Sequence, residues 1–565
     1  MERSSEKPLG SLTTLRGDVQ CPGSTNESTP ASEYPRRATQ DEIRDLPHDI
    51  GAVPITAWLL CFTSAASRLA WYGVTVPWQN YLQNARGDEL VPGALGLGQA
   101  KSTIIQNTFL FFQYLTPLPF AILSDAFLGR YRVMVISLGL LLGGYTVMFA
   151  TSLPDALEAG AGVGGLVATM LLIGLGQGGL SAVMYPFIGD QVPEEKPMVT
   201  LKKGRLVVID RKTTIQYVFN VYYWMVNITT LAGIIPSTFL EKHIDFWAAY
   251  LMPTCILALS VVPVLLWNKS LMKTEPKGNV MTKVFHIFAI AIRNNFRLSA
   301  ASPAHFQHHD DETVPWTDKF IDEIRRGLKA CRVIICFVIF WLCYNQATNN
   351  IISQAGQMKT HGVSNDTINA LNPVACIILG PLIQNVLFPF LRHRKVRFGP
   401  ILRIVVAFLF TAAAIAYAAG LQKLIYSAEP CFDHPLACTM ENGSGSAQPG
   451  PNQVNVWLQT PLYFLLGIGE ILGLVSLSEY AYAEAPTDMK ALVQAFQQLT
   501  AAIGAALGIA LGPVSKDPWL VVMYACLAGV MGLCGGLFWL VFRRLDDDWE
   551  NEDDGSPENA ERTES

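Results

Sequence analysis

Long apolar stretches separated by short polar segments dominate the chain, near residues 55–81, 103–124, 132–152, 162–189, 217–240, 247–267, 331–350, 369–391, 400–424, 454–482, 490–512 and 519–542. A run of ~20 apolar residues crosses the ~30 Å hydrocarbon layer of a bilayer as a helix. The pattern predicts an all-α membrane protein with twelve transmembrane helices. Several stretches contain Gly or Pro, as helices that bend or break within a membrane do.

The polar intervals set the domain plan. Residues 1–49 are rich in Ser, Thr, Pro and charge and carry no signal-peptide core, so a disordered tail is expected. A first six-helix bundle is expected over 50–267, a linker over 268–330, a second six-helix bundle over 331–545 and an acidic tail over 546–565. In the linker, MTKVFHIFAIAIRN (281–294) has the pattern of an amphipathic helix lying on a membrane surface. His305, His308 and His309 also fall there and read as a solvated loop rather than a metal site.

Positive charge orients the chain. Arg130 and Arg132, then Lys202, Lys203, Arg205, Arg211 and Lys212, then Arg392, Arg394, Lys395 and Arg397, and finally Arg543 and Arg544 follow even-numbered spans. All lie on one side if both termini are cytosolic. The polar loop CFDHPLACTMENGS (431–444) then falls on the other side. It offers Cys431 and Cys438 for a disulfide, with a solvated pair of free thiols as the alternative, and Asn442 in a glycosylation sequon.

One charge interrupts the first stretch. Arg68 is the only charged residue in ITAWLLCFTSAASRLAWYGVTVPWQNY (55–81). A guanidinium near the bilayer centre costs ~2.5–3.5 kcal/mol on insertion scales, so it belongs beside a water-filled cavity or a counter-charge. The deep candidate for that counter-charge is Glu470 in GIGEILG, directly or through water or substrate. Glu479 lies nine residues further along the same stretch. At about 100° per residue it faces the opposite side, unless the helix breaks near Gly473.

Composition agrees with a membrane protein. Half of the 565 residues are hydrophobic and 15% are charged, against about 25% in soluble domains. The net charge of −5 offers nothing to nucleic acid. No pattern of nucleophile, phosphate loop or metal ligands indicates an enzyme, and none calls for a cofactor. The partners expected are the lipid bilayer and a small-molecule or peptide substrate, with protons as a candidate second substrate.

Local motifs narrow the reading. LGLGQA (95–100), SDAFLGRYR (124–132), GQGGLSAVMYPFIGDQ (176–191), FNVYYWMVN (219–227), FWAAYLMP (246–253), FWLCYNQATNNIISQAGQM (340–358), LNP (371–373), FGPILRI (398–404) and SEYAYAEAPTDMK (478–490) occur in order over nearly all of 50–545. Together they resemble the proton-dependent oligopeptide transporter family, especially its fungal di/tripeptide carriers. The resemblance implies a major facilitator superfamily fold, two six-helix halves around a central cavity, and peptide uptake coupled to protons.

The departures from that family concern charge. Its first helix carries E-x-x-E-R, whose acids take part in proton coupling; this chain has Ser64 and Ser67 before Arg68. Its fourth helix usually places a lysine where Ser181 stands. A span-seven acid found in many members is Asn345 here. By resemblance, Trp71, Tyr72, Asn227, Asn345 and Asn372 join Arg68 and Glu470 as substrate-binding residues. Glu470 matches the acid that receives a peptide's amino terminus. Asp125, Arg130, Asp190 and Glu479 are expected in gate or loop contacts.

The function expected is a secondary transporter of small peptides or peptide-like molecules, acting by alternating access, with altered coupling. It belongs in the plasma membrane with cytosolic termini. Two alternatives stay open: a transporter or exporter of a fungal secondary metabolite encoded with a biosynthetic cluster, and a peptide-sensing receptor that does not transport.

Overall fold

The computed structural model describes residues 35–553 apart from 40–41, 44–45, 88–90, 194–195, 203–204, 274–279, 295–296, 304–315, 395–397, 436–438, 442–446, 450 and 485–489. It divides into two compact units, residues 1–51 with 194–214, and residues 52–193 with 215–565.

The smaller unit is a four-stranded sheet of β1 (Arg36–Arg37), β2 (His48–Asp49), β3 (Met198–Lys202) and β4 (Arg205–Ile209), in the order β1-β3-β4-β2. The sequences MVTLK and RLVVI carry the β-branched residues that favour a pleated hairpin, and they pair from Met198 with Ile209 to Lys202 with Arg205. The tail adds a strand at each edge, Arg36 beside Val199 and His48 beside Val208. Lys202 Nζ reaches Asp49 Oδ2 at 2.7 Å. Arg36 bonds Glu42 and, with the Thr39 backbone, holds its carboxyl down to about 2. The expected disorder up to residue 49 is therefore corrected for the strands Arg36–Arg37 and His48–Asp49. A polar tail gains order by satisfying the open edges of a hairpin, a pairing that its own composition does not announce.

The larger unit is helical. Among the described residues nine helices are long and apolar enough to cross a membrane, and the pair Asp318–Ile334 and Phe337–Gly356, bent by 45°, makes ten if it is counted as one span. The remaining two predicted spans are divided. Ile55–Thr75 is followed by Trp78–Gln83 across Pro77, and Gln99–Leu115 by Pro117–Leu123 across Thr116. Each proline lacks an N–H for the helical ladder, and the polar residues Ser64, Ser67, Arg68, Gln99, Gln106 and Asn107 lower the apolarity of these segments.

Two large hydrophobic cores reflect the six-plus-six division. One gathers Leu60, Tyr81, Phe109, Tyr145, Phe187, Tyr250 and neighbours, with Ala505 from the other half. The second gathers Phe337, Phe340, Phe408, Tyr463, Tyr524 and Phe538. Large apolar side chains such as Leu259, Leu266, Leu533 and Leu540 remain exposed on the outside, as a lipid-facing surface requires.

The linker helix forms at Val280–Arg293 as its pattern predicts. Part of its apolar face is taken up locally: Val284 and Ile287 pack with Ala301, Trp316, Ile321 and Ile324 in a small core. His305, His308 and His309 lie outside the described residues.

Cross-half hydrogen bonds tie one end of the bundle. Asn80 and Asn365 exchange amide bonds at 2.8 Å. Thr238 meets Thr367 at 2.7 Å, and Lys242 Nζ donates to the Val363 carbonyl at 2.9 Å. Nearby, Asn350 Oδ1 accepts from Gln99 at 3.3 Å and Thr103 at 3.0 Å.

Candidate functional site

The helix Ile55–Thr75 is pressed into the bundle by small residues. A Cβ on Gly233 would collide with the Leu69 carbonyl oxygen, and one on Gly73 would stand 3.3 Å from Pro253. This approach brings Arg68, Trp71 and Tyr72 to one wall of a cavity of about 460 Å³ between the halves. The helix Arg211–His243 contributes Tyr222, Tyr223 and Asn227. The second half contributes Trp341, Tyr344, Asn345, Asn372, Cys376 and Glu470. All seven residues expected to bind substrate line this cavity.

The two charges have different surroundings. Arg68 is half-buried among Tyr222, Tyr72, Tyr185 and Tyr114, and no carboxylate contacts it among the described residues. Ser64, at the place of a family acid, shares a 2.6 Å hydrogen bond with the Tyr222 hydroxyl. Ser67 is buried, with its hydroxyl unbonded. Tyrosine hydroxyls, not acids, thus surround Arg68.

Glu470 is held by its own half. Its Oε2 accepts from the Tyr344 hydroxyl at 3.0 Å, from Asn372 Nδ2 at 2.9 Å and from the Cys376 thiol at 3.8 Å. Asn372 Nδ2 also reaches the Tyr344 oxygen at 3.3 Å, closing a triangle. These donors fix the orientation of the carboxyl group without a cation. Arg68 and Glu470 therefore form no direct ion pair. Each presents its charge to the cavity from an opposite half.

Uncommitted amide groups complete the lining. Asn345 Nδ2 and Asn372 Oδ1 are buried without partners. Buried polar atoms in this state favour a ligand or water that completes them. Asn227 instead gives its amide to the Tyr223 carbonyl of its own helix at 2.9 Å. Trp71 is anchored by its indole N–H to Gln113 at 3.2 Å and meets the Tyr72 ring edge-on at 4.7 Å.

Other candidates lie elsewhere. Ser181 donates to the Gly178 carbonyl at 3.0 Å and is not part of the lining. The helix Thr460–Glu484 runs unbroken through Gly473, so Glu479 turns from the cavity and takes a 2.9 Å ion pair from Arg403. Arg130 pairs with Asp190 at a helix end, with Asp125 close by. Cys431 is disulfide-bonded; Cys438 and Asn442 lie outside the described residues.

Sequence reasoning missed several lining residues. Gln494, Gln497 and Gln498 enter the cavity from the helix Lys490–Leu511. Their i, i+3, i+4 spacing in an otherwise apolar helix marks one polar face and was a readable signal. Tyr114, Tyr185, Tyr222 and Tyr344 carried no such signal, because an aromatic in a long helix reads equally as packing.

The profile of the POT family, PTR2, matches residues 131–523. The chain belongs to the POT family. Among POT-family relatives, the peptide transporter PTR_C of Candidozyma auris is 39% identical over 531 residues, covering 93% of this chain and 90% of the relative. The peptide transporter PTR_A of the same organism is 37% identical over 513 residues, covering 91% and 85%. The crystal structure of the POT family transporter PepTSo superposes with a TM-score of 0.69 at 17% identity, over 88% of this chain and 99% of the other. The fold is therefore that of the POT transporters within the major facilitator superfamily, as the motifs implied.

Proposed function

We propose that this POT-family protein is a secondary membrane transporter of small peptides or peptide-like molecules and works by alternating access. One observation carries the reading: a single cavity presents Arg68 from one half and Glu470 from the other, without the two touching. A zwitterionic peptide completes that arrangement, its carboxylate on Arg68 and its amine on Glu470. Movement of the halves would then alter both contacts together. The relatives named as peptide transporters support the same substrate class.

Coupling through the family's first-helix acids has no carboxylate to run on here, since Ser64 and Ser67 occupy their places. Facilitated diffusion or coupling at another site follows from that chemistry. The positively charged loops favour cytosolic termini, and a peptide carrier of this kind belongs in the plasma membrane. The end tied by Asn80 and Asn365 is then the non-cytosolic one.

A second reading, carriage of a less zwitterionic amino-acid-derived metabolite, is favoured by the aromatic wall of Trp71, Tyr72, Tyr114, Tyr185, Tyr222 and Trp341. Uptake of labelled dialanine by proteoliposomes tests the proposal. Uptake that a large excess of unlabelled dialanine suppresses supports it. Tight binding of dialanine without flux under any gradient supports a receptor instead, and neither binding nor flux turns the choice to the metabolite.

A further inference from the structure

Glu241 and Asp366 meet at the tied end of the bundle, one from each half. Glu241 is 3% exposed and Asp366 is fully buried. Two contacts between the halves bring them together: Asn80 Nδ2 bonds both Glu241 and Asn365 Oδ1, the latter at 2.8 Å, and Thr238 meets Thr367 at 2.7 Å. Glu241 Oε1 accepts from Asn80 Nδ2 at 2.9 Å. Its Oε2 and both oxygens of Asp366 are buried with no donor in good hydrogen-bond geometry. The pair is outside the substrate cavity: Glu241 lies seven residues beyond the lining residue Ile234, roughly 10 Å along a helix.

The surrounding groups do not neutralise it. Lys242, next along the helix, gives its ammonium to the Val363 carbonyl and reaches both carboxyls only at longer range. Tyr250 and Tyr463 face the pair from neighbouring helices, with buried hydroxyls that have no bonded partner. Asp245 acts on Tyr81 and Tyr250 and adds only negative charge. His243 packs its ring on Phe239 at 4.3 Å. Ser364 and the backbone at Asp366 and Thr367 are the polar neighbours of Asp366.

Two carboxylates buried side by side repel strongly when both are ionised. One proton between them replaces repulsion with a charge-assisted O–H···O⁻ bond and supplies the donor that the oxygens lack. We propose that Glu241 and Asp366 are a proton-binding site, a shared-proton latch that closes this end of the transporter. The idea rests on the alternating-access reading. Closing takes up one proton as a carboxyl O–H. Opening hydrates the two groups separately, and at neutral pH the proton leaves to water on the side to which the gate opens. The site does not use Arg68 or the serines beside it.

The sign follows from linkage. The closed state holds one proton more than the open state above the ordinary carboxylate range, so acid favours closure. The opening constant rises about tenfold per pH unit until the closed pair itself ionises.

Thr238, buried against Thr367 at 2.7 Å, reports opening. The purified full chain carrying Thr238→Cys, in lipid nanodiscs, is labelled with a maleimide between pH 5 and pH 8. Labelling is counted above that of the chain without the substitution, which has Cys255 and Cys526 exposed. Dividing by the rate in a Thr238→Cys/Glu241→Gln chain cancels the thiol's own pH dependence. The expected ratio climbs about tenfold per pH unit over part of this range. A Thr238→Cys/Asp366→Asn chain is expected to serve equally as the denominator, which covers failure of either variant to fold. A flat ratio with both denominators overturns the proposal. So does labelling that follows sodium or potassium at fixed pH, which would identify a metal-cation site. No substrate enters this measurement, so its failure is distinct from failure of the peptide-transport reading.

Discussion

The Tyr344 hydroxyl donates to Glu470 Oε2 over 3.0 Å, and the same oxygen accepts from Asn372. A carboxylate oriented in this way offers its other oxygen to the cavity. Tyr344→Phe removes one of its charged hydrogen bonds, an interaction worth about 1.5–3 kcal/mol. The KM for dialanine is expected to rise about tenfold or more, which is the lower end of that range. An N-acetylated peptide, lacking the amine that Glu470 would bind, is expected to shift much less in competition assays. Equal shifts for both would make Tyr344 a packing residue.

Glu479 provides the contrast. It is on the same helix as Glu470 but pairs with Arg403 outside the cavity. Partly exposed ion pairs contribute about 0–1 kcal/mol. Glu479→Gln should leave the KM for dialanine within about twofold, whereas Glu470→Gln should raise it by about tenfold or more. The two variants are compared at equal expression in the same uptake assay.

Arg68 has tyrosines rather than acids around it, so its charge is available to a ligand. Arg68→Gln is expected to lower dialanine uptake by at least about tenfold, the weight of a charge-assisted bond. Peptides amidated at the C-terminus should lose less. Thermal stability should hold or rise, since a desolvated cation has been removed. A large drop in melting temperature would show instead that Arg68 is needed for the fold.

Gly233 lets two helices approach at backbone distance beside Arg68. Gly233→Ala sets a methyl group against the Leu69 carbonyl, and backbone cannot yield as a side-chain tip can. A destabilisation of about 1–3 kcal/mol is expected, read as a lower melting temperature of the purified protein. Gly139→Ala is the control, because a Cβ there meets nothing within 4 Å.

Asp517, in the turn between the last two long helices, is bonded by Tyr426 and Gln357. Burial raises its carboxyl above the usual value of 3.8 despite those bonds and the nearby His434. The folded state therefore holds this proton more tightly than the unfolded state. That contribution favours folding at low pH and is lost as pH rises from about 4 through the folded value. Asp517→Asn removes it. The melting temperature of the variant relative to the parent should be higher at pH 7 than at pH 4.5; no change in the difference between the two would contradict the burial effect.

Legibility in the sequence varied with the kind of signal. Span positions were readable because twenty apolar residues have few other uses, and the small differences occur where Pro77 and Thr116–Pro117 divide a polar-faced helix. The opposed faces of Glu470 and Glu479 followed from helical periodicity once the helix ran unbroken. The cavity role of Trp71, Tyr72 and the asparagines came from motif resemblance, because apolar periodicity does not distinguish a lining aromatic from a packed one. The strands Arg36–Arg37 and His48–Asp49 were hidden, since a sheet edge supplies from a distant hairpin the order that the local sequence lacks.

Arg68 and Glu470 were evident as deep charges from the chain alone, because a charge inside an apolar run is costly enough to demand a reason. Their separation was not evident. Whether two charges meet depends on the donors around each, and Tyr344 and Asn372 reach Glu470 only through the packing of three helices. Glu241 and Asp366 show the same limit more fully. At helix ends 125 positions apart in the sequence, each reads as an ordinary boundary acid. Only closure of the two halves removes water from both and turns two solvated carboxylates into one buried pair.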